Sequence, residues 1–212
     1  MLLYNYREFI RATLLLILLQ EERVAFARNS QWQVFDATGR RKYLNANERR
    51  RFLAVADNLP ADRRALCYVL AYTGCRISEA LALIREQVEI DPPTLRFRTL
   101  KRRRLVFRTV PVPLALAMRL LELPKGADGL IWHMHRATAW RCVKGVAATS
   151  GIFGPMACCK GLRHGFGIHA ITNNVPGNLV QRWLGHASPT TTAVYLDAVG
   201  IEEQEFASRM WH

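Results

Sequence analysis

Apolar residues recur at helical spacing in the first half of the chain, and turn residues separate one run from the next. Asn45 followed three residues later by Glu48 is typical of a helix N-terminus with a capping box. This pattern predicts a helix over about 46–58, which ends before Pro60. A second helix is predicted from about Ala61.

A glycine turn divides the next apolar run. The run comprises Leu66, Leu70, Ile77, Leu81 and Ile84, all at helical spacing. Thr73-Gly74 falls inside it and breaks the helical pattern. We therefore expect a tight turn and a new helix from about Ile77, which places Arg76 at a helix start.

Between Asp91 and Pro113 the period of the pattern changes to two. Leu95 and Phe97 alternate with Arg96 and Arg98. Further along, a second alternating set comprises Val106, Arg108, Val110 and Val112. Such alternation predicts an antiparallel β-hairpin, and Lys101-Arg102-Arg103-Arg104 forms its tip.

The rest of the chain is predicted to be helical, with Pro, Asn and Gly residues between the helices. The predicted helices cover about 114–123, 136–149, 161–173, 177–184, 189–196 and 200–210. Gly165 and Gly167 lie inside one of them, where each costs about 1 kcal/mol relative to Ala. The sum predicts an α+β fold, mainly α, in which a helical domain carries one small antiparallel sheet.

Residues 1–42 are predicted to form a helical arm and linker, and residues 43–212 the main domain. An apolar run over 14–19 is too short to span a bilayer, which takes about 20 residues. Basic residues before this run and Ala25-Phe26-Ala27 after it are similar to a signal peptide, but charged residues at 21–23 interrupt the pattern. We expect an amphipathic helix that packs on the domain or on a neighbouring subunit, with export as the alternative.

The net charge of the chain indicates which class of molecule it binds. The 212 residues include 30 Lys+Arg and 17 Asp+Glu, a net charge of +13, while 50% of residues are hydrophobic. This composition excludes a disordered chain and favours a polyanion as partner, above all nucleic acid. The five cysteines form no C-x-x-C pair, so we expect a reducing, cytoplasmic environment without a disulfide framework.

Residues of the kinds used in phosphoryl transfer follow turns or begin helices. Arg76 precedes Glu79 by three residues, so the carboxylate can hold the guanidinium. Arg163 begins another helix, His186 follows a helix end, and Tyr195 comes nine residues after His186. Fixed guanidiniums bind phosphate oxygens and a phenol can act as a covalent nucleophile, so the set predicts phosphodiester transfer without a metal.

A zinc site is the competing interpretation of one cluster. Cys158 and Cys159 stand near His164 and His169 in the sequence, but adjacent cysteines lack the usual spacing of zinc ligands. We therefore expect no metal.

Three stretches resemble the tyrosine recombinases, also called the phage integrase family. They are YTGCRISEAL at 72–81, KGLRHGF at 160–166, and LGH at 184–186 followed by TTAVY at 191–195. The order of the stretches, the 23 residues from Arg163 to His186 and the 9 from His186 to Tyr195 are similar to the family's own spacing. The resemblance covers the chain from about residue 43 and implies the family's helical catalytic domain.

The resemblance implies a role for each matching residue. Arg76 and Arg163 would clamp the scissile phosphate of DNA. Tyr195 would attack it, leaving a 3′-phosphotyrosyl bond and a free 5′-hydroxyl. Lys101 would protonate the departing 5′ oxygen, and His186 would contact the phosphate and position the nucleophile.

Other residues take further roles in this interpretation. Glu79 would support Arg76. Lys160 stands where the family usually has His, and keeps a hydrogen-bond donor while adding charge, so it is included among the catalytic residues. Contacts with DNA are expected from Arg102, Arg103, Arg104 and His164. The resemblance implies no metal, ATP or other cofactor.

Partners also follow from the resemblance. Double-stranded DNA would be the substrate, cut and rejoined by a homotetramer on DNA, in the cytoplasm and associated with the nucleoid. Neighbouring subunits would exchange C-terminal segments, for which Ile201, Phe206, Met210 and Trp211 supply apolar anchors. Residues 1–40 are too few for the additional DNA-clamping domain of most family members, so the chain resembles the short recombinases, which depend on cooperative assembly or on a DNA-bending or directionality protein.

Two alternatives to a site-specific recombinase stay open. A type IB topoisomerase-like enzyme would use the same covalent chemistry on one duplex. A non-catalytic DNA-binding regulator derived from the family would not need Tyr195.

Overall fold

The computed structural model describes residues 33–98, 106–124, 126, 128–195, 207, 208 and 210. These residues form eight α-helices and a small sheet. The helices are α1 (Ala46–Ala56), α2 (Ala61–Thr73), α3 (Ile77–Leu81), α4 (Leu114–Glu122), α5 (Arg136–Thr149), α6 (Cys159–Thr172), α7 (Gly177–Leu184) and α8 (Thr190–Ala193). The antiparallel sheet has the order β1 (Val88–Ile90), β2 (Pro93–Arg98) and β3 (Phe107–Pro111). The predicted fold class is confirmed.

Local signals set the first helices as the sequence predicts. The Asn45 side chain accepts a hydrogen bond from the Glu48 backbone N–H at 2.8 Å, and the Glu48 carboxylate accepts one from the Asn45 N–H at 3.0 Å, which closes the capping box of α1. Gly74 ends α2 in the left-handed conformation, with φ of 59°. Arg76 then lies in extended backbone immediately before α3, as expected.

The sheet has one strand more than the predicted hairpin. Strands β2 and β3 pair in the predicted hairpin, from Thr94 opposite Pro111 to Arg98 opposite Phe107. Strand β1 adds to the other edge of β2, with Val88 opposite Leu95. A strand of three residues is too short to show a period of two, which is why the sequence pattern does not reveal it.

Several predicted helix boundaries need correction. Helix α3 ends at Leu81, and Ile84, expected on that helix, instead forms an isolated β-bridge with Leu130. Helix α6 begins at Cys159 rather than at 161. Helix α8 covers only Thr190–Ala193 of the predicted 189–196.

Two hydrophobic clusters form the core. The larger one joins α1 to α5 with the inner face of the sheet, and includes Phe52, Leu70 and Phe97, which are fully buried. The smaller one surrounds Tyr195 and comprises Val34, Tyr43, Ile168, Ala170, Val180, Leu184 and Tyr195. Val34 precedes the predicted main domain, so the described part of the linker contributes to the same cluster as this tyrosine. The predicted domain boundary at residues 42 and 43 stays a prediction.

The glycines of α6 have a packing reason. A Cβ atom at Gly165 would lie 2.5 Å from the Leu44 carbonyl oxygen, and one at Gly167 would lie 2.5 Å from the Tyr195 ring. Glycine occurs at these positions of α6, despite its low helix propensity, because Leu44 and Tyr195 lie too close to the helix backbone for a larger residue.

Some predictions concern residues outside the described ranges. These are the arm over residues 1–32, the hairpin tip Lys101-Arg102-Arg103-Arg104, and most of the C-terminal helix, including Ile201, Phe206 and Trp211. Among the described residues, no helix has the length and apolar character needed to cross a membrane.

Candidate active site

Arg76 is held at one end and open at the other. The Glu79 carboxylate accepts a hydrogen bond from the Arg76 backbone N–H at 2.8 Å and another from Nη1 at 2.9 Å. The predicted contact between these residues is therefore present. The Arg76 side chain keeps 23% of its surface exposed, whereas that of Glu79 keeps 1%. The guanidinium thus has a fixed orientation and remains accessible to a ligand.

Glu79 also receives a second guanidinium, which the sequence analysis did not assign to the site. Arg108 on β3 donates to both carboxylate oxygens, at 2.6 Å from Nη2 and 3.2 Å from Nη1. Burial by itself raises the pKa of Glu79, but the hydrogen bonds and charge of Arg108, followed by those of Arg76, outweigh it and hold the pKa below its ordinary value. Glu79 is therefore ionised at neutral pH.

The sequence contained a signal for Arg108. It occupies the same alternating positions as Val110 and Val112, which are both buried. An arginine on the apolar face of a strand needs a buried partner, since an unpaired charge is costly to bury. Spacing alone does not identify that partner, because Glu79 lies 29 residues away in the sequence.

Arg163 is fixed from two sides by backbone carbonyls. Its Nη1 donates to the Gly74 oxygen and its Nη2 to the Leu184 oxygen, both at 2.7 Å. The residue is 5% exposed, and among the described residues its Nε–H has no hydrogen-bond partner. Burial, with repulsion from Arg76 as a smaller cause, lowers the pKa of Arg163 to about 10, so the guanidinium stays charged at neutral pH.

His186 lies directly after the end of α7, where Gly185 adopts the left-handed conformation with φ of 65°. The His186 Nδ1 atom is 2.8 Å from the Thr192 hydroxyl, and the imidazole stacks on the Tyr195 ring with centroids 6.0 Å apart. Burial, followed by the charges of Arg163 and Arg76, lowers the pKa of His186 to about 3. The ring is therefore uncharged at neutral pH.

Tyr195 is buried, with 2% of its surface exposed. Its hydroxyl lies 3.2 Å from Nδ1 of His164, and its ring lies against Gly167. Burial raises the pKa of Tyr195 to about 12, although the positive charges of Arg163 and Arg76 oppose that shift.

His164 and Lys160 lie on the same helix as Arg163. His164, expected to contact DNA, is 1% exposed and faces Tyr195, so in this arrangement it contacts the tyrosine instead of the surface. Burial, then the charges of Lys160, Arg163 and Lys42, lowers the pKa of His164 to about 3. Lys160 is more open, and burial lowers its pKa from the ordinary value.

The described residues bring six of the predicted site residues together through hydrogen bonds, ring contacts and charge: Arg76, Glu79, Arg163, His164, His186 and Tyr195. Lys101 and Arg102–Arg104 lie outside the described ranges, but β3, which follows that tip, contacts Glu79 through Arg108. Arg76 and Arg108 share the Glu79 carboxylate, and Arg163 is fixed by backbone carbonyls. The cluster therefore carries excess positive charge that suits a phosphodiester. Within the described part of the chain, no group of three or more His, Cys, Asp or Glu residues could hold a metal ion.

Comparison with known proteins finds the phage integrase family over residues 42–199. The tyrosine recombinase XerD of Listeria monocytogenes serotype 4b (strain F2365) is 26% identical over 175 residues, which cover 75% of this chain and 59% of XerD. The chain thus spans less than two thirds of this curated relative.

Solved structures have the same fold. The XerH site-specific recombinase bound to palindromic difH substrate, in a post-cleavage complex, matches with a TM-score of 0.69 and 22% identity over 80% of this chain and 53% of that one. The catalytic domain of bacteriophage HP1 integrase matches with a TM-score of 0.57 and 25% identity, over 79% of this chain and 93% of that one. The resemblance predicted from the sequence motifs is confirmed, and the chain belongs to the phage integrase family.

Proposed function

We propose that this chain is a site-specific DNA recombinase that cuts and rejoins DNA through a 3′-phosphotyrosyl intermediate. The observation that carries the proposal is that His186 stacks on Tyr195 and the charges of Arg163 and Arg76 act on the same phenol, although the four residues come from separate parts of the fold. Two fixed guanidiniums beside a phenol supply phosphate binding and a nucleophile in one place. XerH, which shares the fold, is a site-specific recombinase bound to a DNA substrate.

The cleavage step uses the geometry as follows. The Tyr195 oxygen forms a bond to phosphorus, and the bond from phosphorus to the 5′ oxygen breaks. Arg76 and Arg163 stabilise the charge that develops on the nonbridging oxygens. Lys101 gives its proton to the departing 5′ oxygen. In the rejoining step, a 5′-hydroxyl attacks the phosphotyrosine and the phenol regains its proton.

The phenol must lose its proton when it attacks, and the uncharged His164 lies within hydrogen-bond distance of it. His164 Nδ1 lies 3.2 Å from the hydroxyl, and the His186 ring stacks on the tyrosine. Because burial keeps the His164 imidazole uncharged, one of its ring nitrogens has a lone pair that can accept a hydrogen bond from the phenol. Lys160, which stands in place of the family's usual His, supplies positive charge for the phosphate.

Assembly belongs to the same proposal. The basic composition and the DNA complex of XerH support double-stranded DNA as the partner. A homotetramer with exchanged C-terminal segments, and an accessory DNA-bending or directionality protein, remain predictions from the family resemblance. So does the cytoplasmic, nucleoid-associated location.

The test is a covalent adduct. Wild-type protein, Tyr195→Phe and the matched control Tyr72→Phe are incubated in EDTA with DNA fragments from around the protein's own gene, and adducts that resist SDS are collected. We expect adducts with wild type and Tyr72→Phe and none with Tyr195→Phe. The protein should be on the 3′ end, and the opposite end should carry a 5′-hydroxyl that polynucleotide kinase can label.

Other outcomes separate the alternatives. An adduct with Tyr195→Phe would place the nucleophile elsewhere. If the protein forms adducts and relaxes a single supercoiled duplex, but exchanges no strands between two sites, it is a topoisomerase-like enzyme. Sequence-specific binding with no adduct from the wild type would support a regulator and overturn the proposal.

A further inference from the structure

Arg108 is held by more contacts than any role in the sheet requires. Its side chain is 5% exposed, and Nε donates to the Trp183 carbonyl oxygen at 2.8 Å while Nη1 and Nη2 donate to Glu79. The guanidinium also lies 5.2 Å from the centre of the Phe97 ring. All three nitrogens are therefore used, and the planar group has one orientation.

The contact between Arg108 and Glu79 determines how much of the positive charge of Arg76 is available to a ligand. Glu79 Oε1 accepts from Nη1 of both arginines, at 2.9 Å from Arg76 and 3.2 Å from Arg108. One carboxylate balances one guanidinium. With Arg108 present, the positive charge of the second guanidinium is available to a ligand. Without Arg108, the Glu79 carboxylate would neutralise Arg76 alone.

Arg108 also contacts the turn before His186, through the Trp183 carbonyl oxygen. Trp183 lies in the last turn of α7, and a Cβ atom at Gly185 would lie 3.1 Å from Cδ of Arg108. The turn between α7 and His186 therefore packs directly on the arginine side chain. Arg108 also belongs to the strand that follows the hairpin tip with Lys101.

Stability alone is a poor reason for this arrangement. A buried ion pair loses much of its Coulomb energy to desolvation, and apolar residues of similar size often stabilise a core as well. We propose that Arg108 is a positioning residue for strand cleavage: it neutralises Glu79, which keeps the charge of Arg76 available to the scissile phosphate, and it fixes the turn that carries His186. The inference rests on the proposed recombinase function.

The test compares Arg108→Met with the double variant Glu79→Gln/Arg108→Met on the DNA site mapped with the wild type. The single variant leaves the Glu79 charge to Arg76, so we expect adduct formation to slow by about 10- to 100-fold. The double variant has no such charge, and we expect it to recover at least about tenfold over the single variant. Rates are compared at equal amounts of folded protein, because the second substitution also removes the unpaired buried carboxylate that destabilises the single variant.

A matched control is Arg96→Met. Arg96 also pairs with a glutamate, Glu89 at 3.2 Å, but it is half-exposed and lies on the neighbouring strand β2. We expect adduct formation within about twofold of wild type for this variant, because exposed pairs contribute little. Should Arg108→Met not fold, the double variant carries the test, since it buries no unpaired carboxylate, and its rate is compared with that of Glu79→Gln.

A second readout uses DNA with a methylphosphonate at the scissile position, which removes one negative charge. If Arg108 acts through the charge of Arg76, Arg108→Met slows this substrate much less than the normal phosphate. Equal slowing of both substrates, a rate equal to wild type, or no recovery in the double variant overturns the inference. The absence of any adduct from the wild type instead overturns the proposed function.

Discussion

The hydroxyl of Tyr195 lies 3.2 Å from Nδ1 of His164, and both side chains are buried. The Nε2 atom on the other side of the imidazole has no hydrogen-bond partner among the described residues. The pair holds the proposed nucleophile beside a ring that is uncharged, since a charged imidazolium would be buried near Arg163 and Lys160. This relationship makes the site sensitive to acid.

We expect the protein to lose stability as the pH falls below about 6.5. Burial lowers the pKa of His164 and of His186 from 6.5 to about 3 in the folded state. Between pH 6.5 and about 3 the unfolded chain therefore binds more protons than the folded one. The free energy of unfolding is highest above pH 6.5 and decreases as the pH falls toward 3. Each histidine contributes a slope of at most about 1.4 kcal/mol per pH unit.

Urea denaturation at several pH values between about 7.5 and 5 measures this slope. His164→Asn keeps a polar atom near the Tyr195 hydroxyl and removes one titrating group, so we expect a shallower slope. His133→Asn, at an exposed side chain, is the matched control. A slope for His164→Asn equal to that of wild type would contradict the expectation.

Gly167→Ala is expected to displace Tyr195. The added Cβ would lie 2.5 to 2.7 Å from three atoms of the tyrosine ring, which is closer than carbon atoms approach. Helix propensity favours alanine by about 1 kcal/mol, but the ring must move and its hydrogen bond with His164 must break. We therefore expect adduct formation to fall sharply, without the gain in stability that the helix alone would give.

Gly145→Ala is the control for this substitution. Gly145 also lies inside a helix, α5, and a Cβ there meets nothing within 4 Å. We expect this variant to gain about 0.5–1 kcal/mol in free energy of unfolding and to keep wild-type adduct formation. Thermal denaturation and the adduct assay measure both effects, and normal adduct formation by Gly167→Ala would show that the tyrosine tolerates the added methyl group.

Features that depend on neighbouring residues were predictable from the sequence. The capping box of Asn45 and Glu48, the turn at Gly74 and the contact between Arg76 and Glu79 each involve residues within three positions of one another or a backbone conformation that favours glycine. The fold class followed because helical and alternating periods are properties of short segments.

Features that depend on residues far apart were not predictable. The partner of Arg108 is 29 residues away, and the contact between His164 and Tyr195 joins residues 31 apart. Sequence periodicity places Arg108 on the same face of its strand as Val110 and Val112, but neither periodicity nor spacing identifies a partner that is distant in the sequence. His164 was accordingly expected on a DNA-binding surface, whereas packing places it against Tyr195.

Lys101→Ala is expected to slow strand cleavage on normal DNA, because the departing 5′ oxygen then lacks a proton donor. A general acid contributes about 10²- to 10⁴-fold to a rate, so the loss should fall in that range. Lysine suits this task better than its neighbours in the tip, since arginine does not release its proton in proteins.

Replacing the 5′ bridging oxygen with sulfur separates this role from DNA binding. A thiolate leaves without protonation, so we expect Lys101→Ala to cleave the sulfur-substituted DNA at nearly the wild-type rate. Arg103→Ala removes a charge from the same tip and serves as the control, with similar modest losses on both substrates. If the sulfur-substituted DNA does not rescue Lys101→Ala, the proton comes from another group and the lysine contributes only charge.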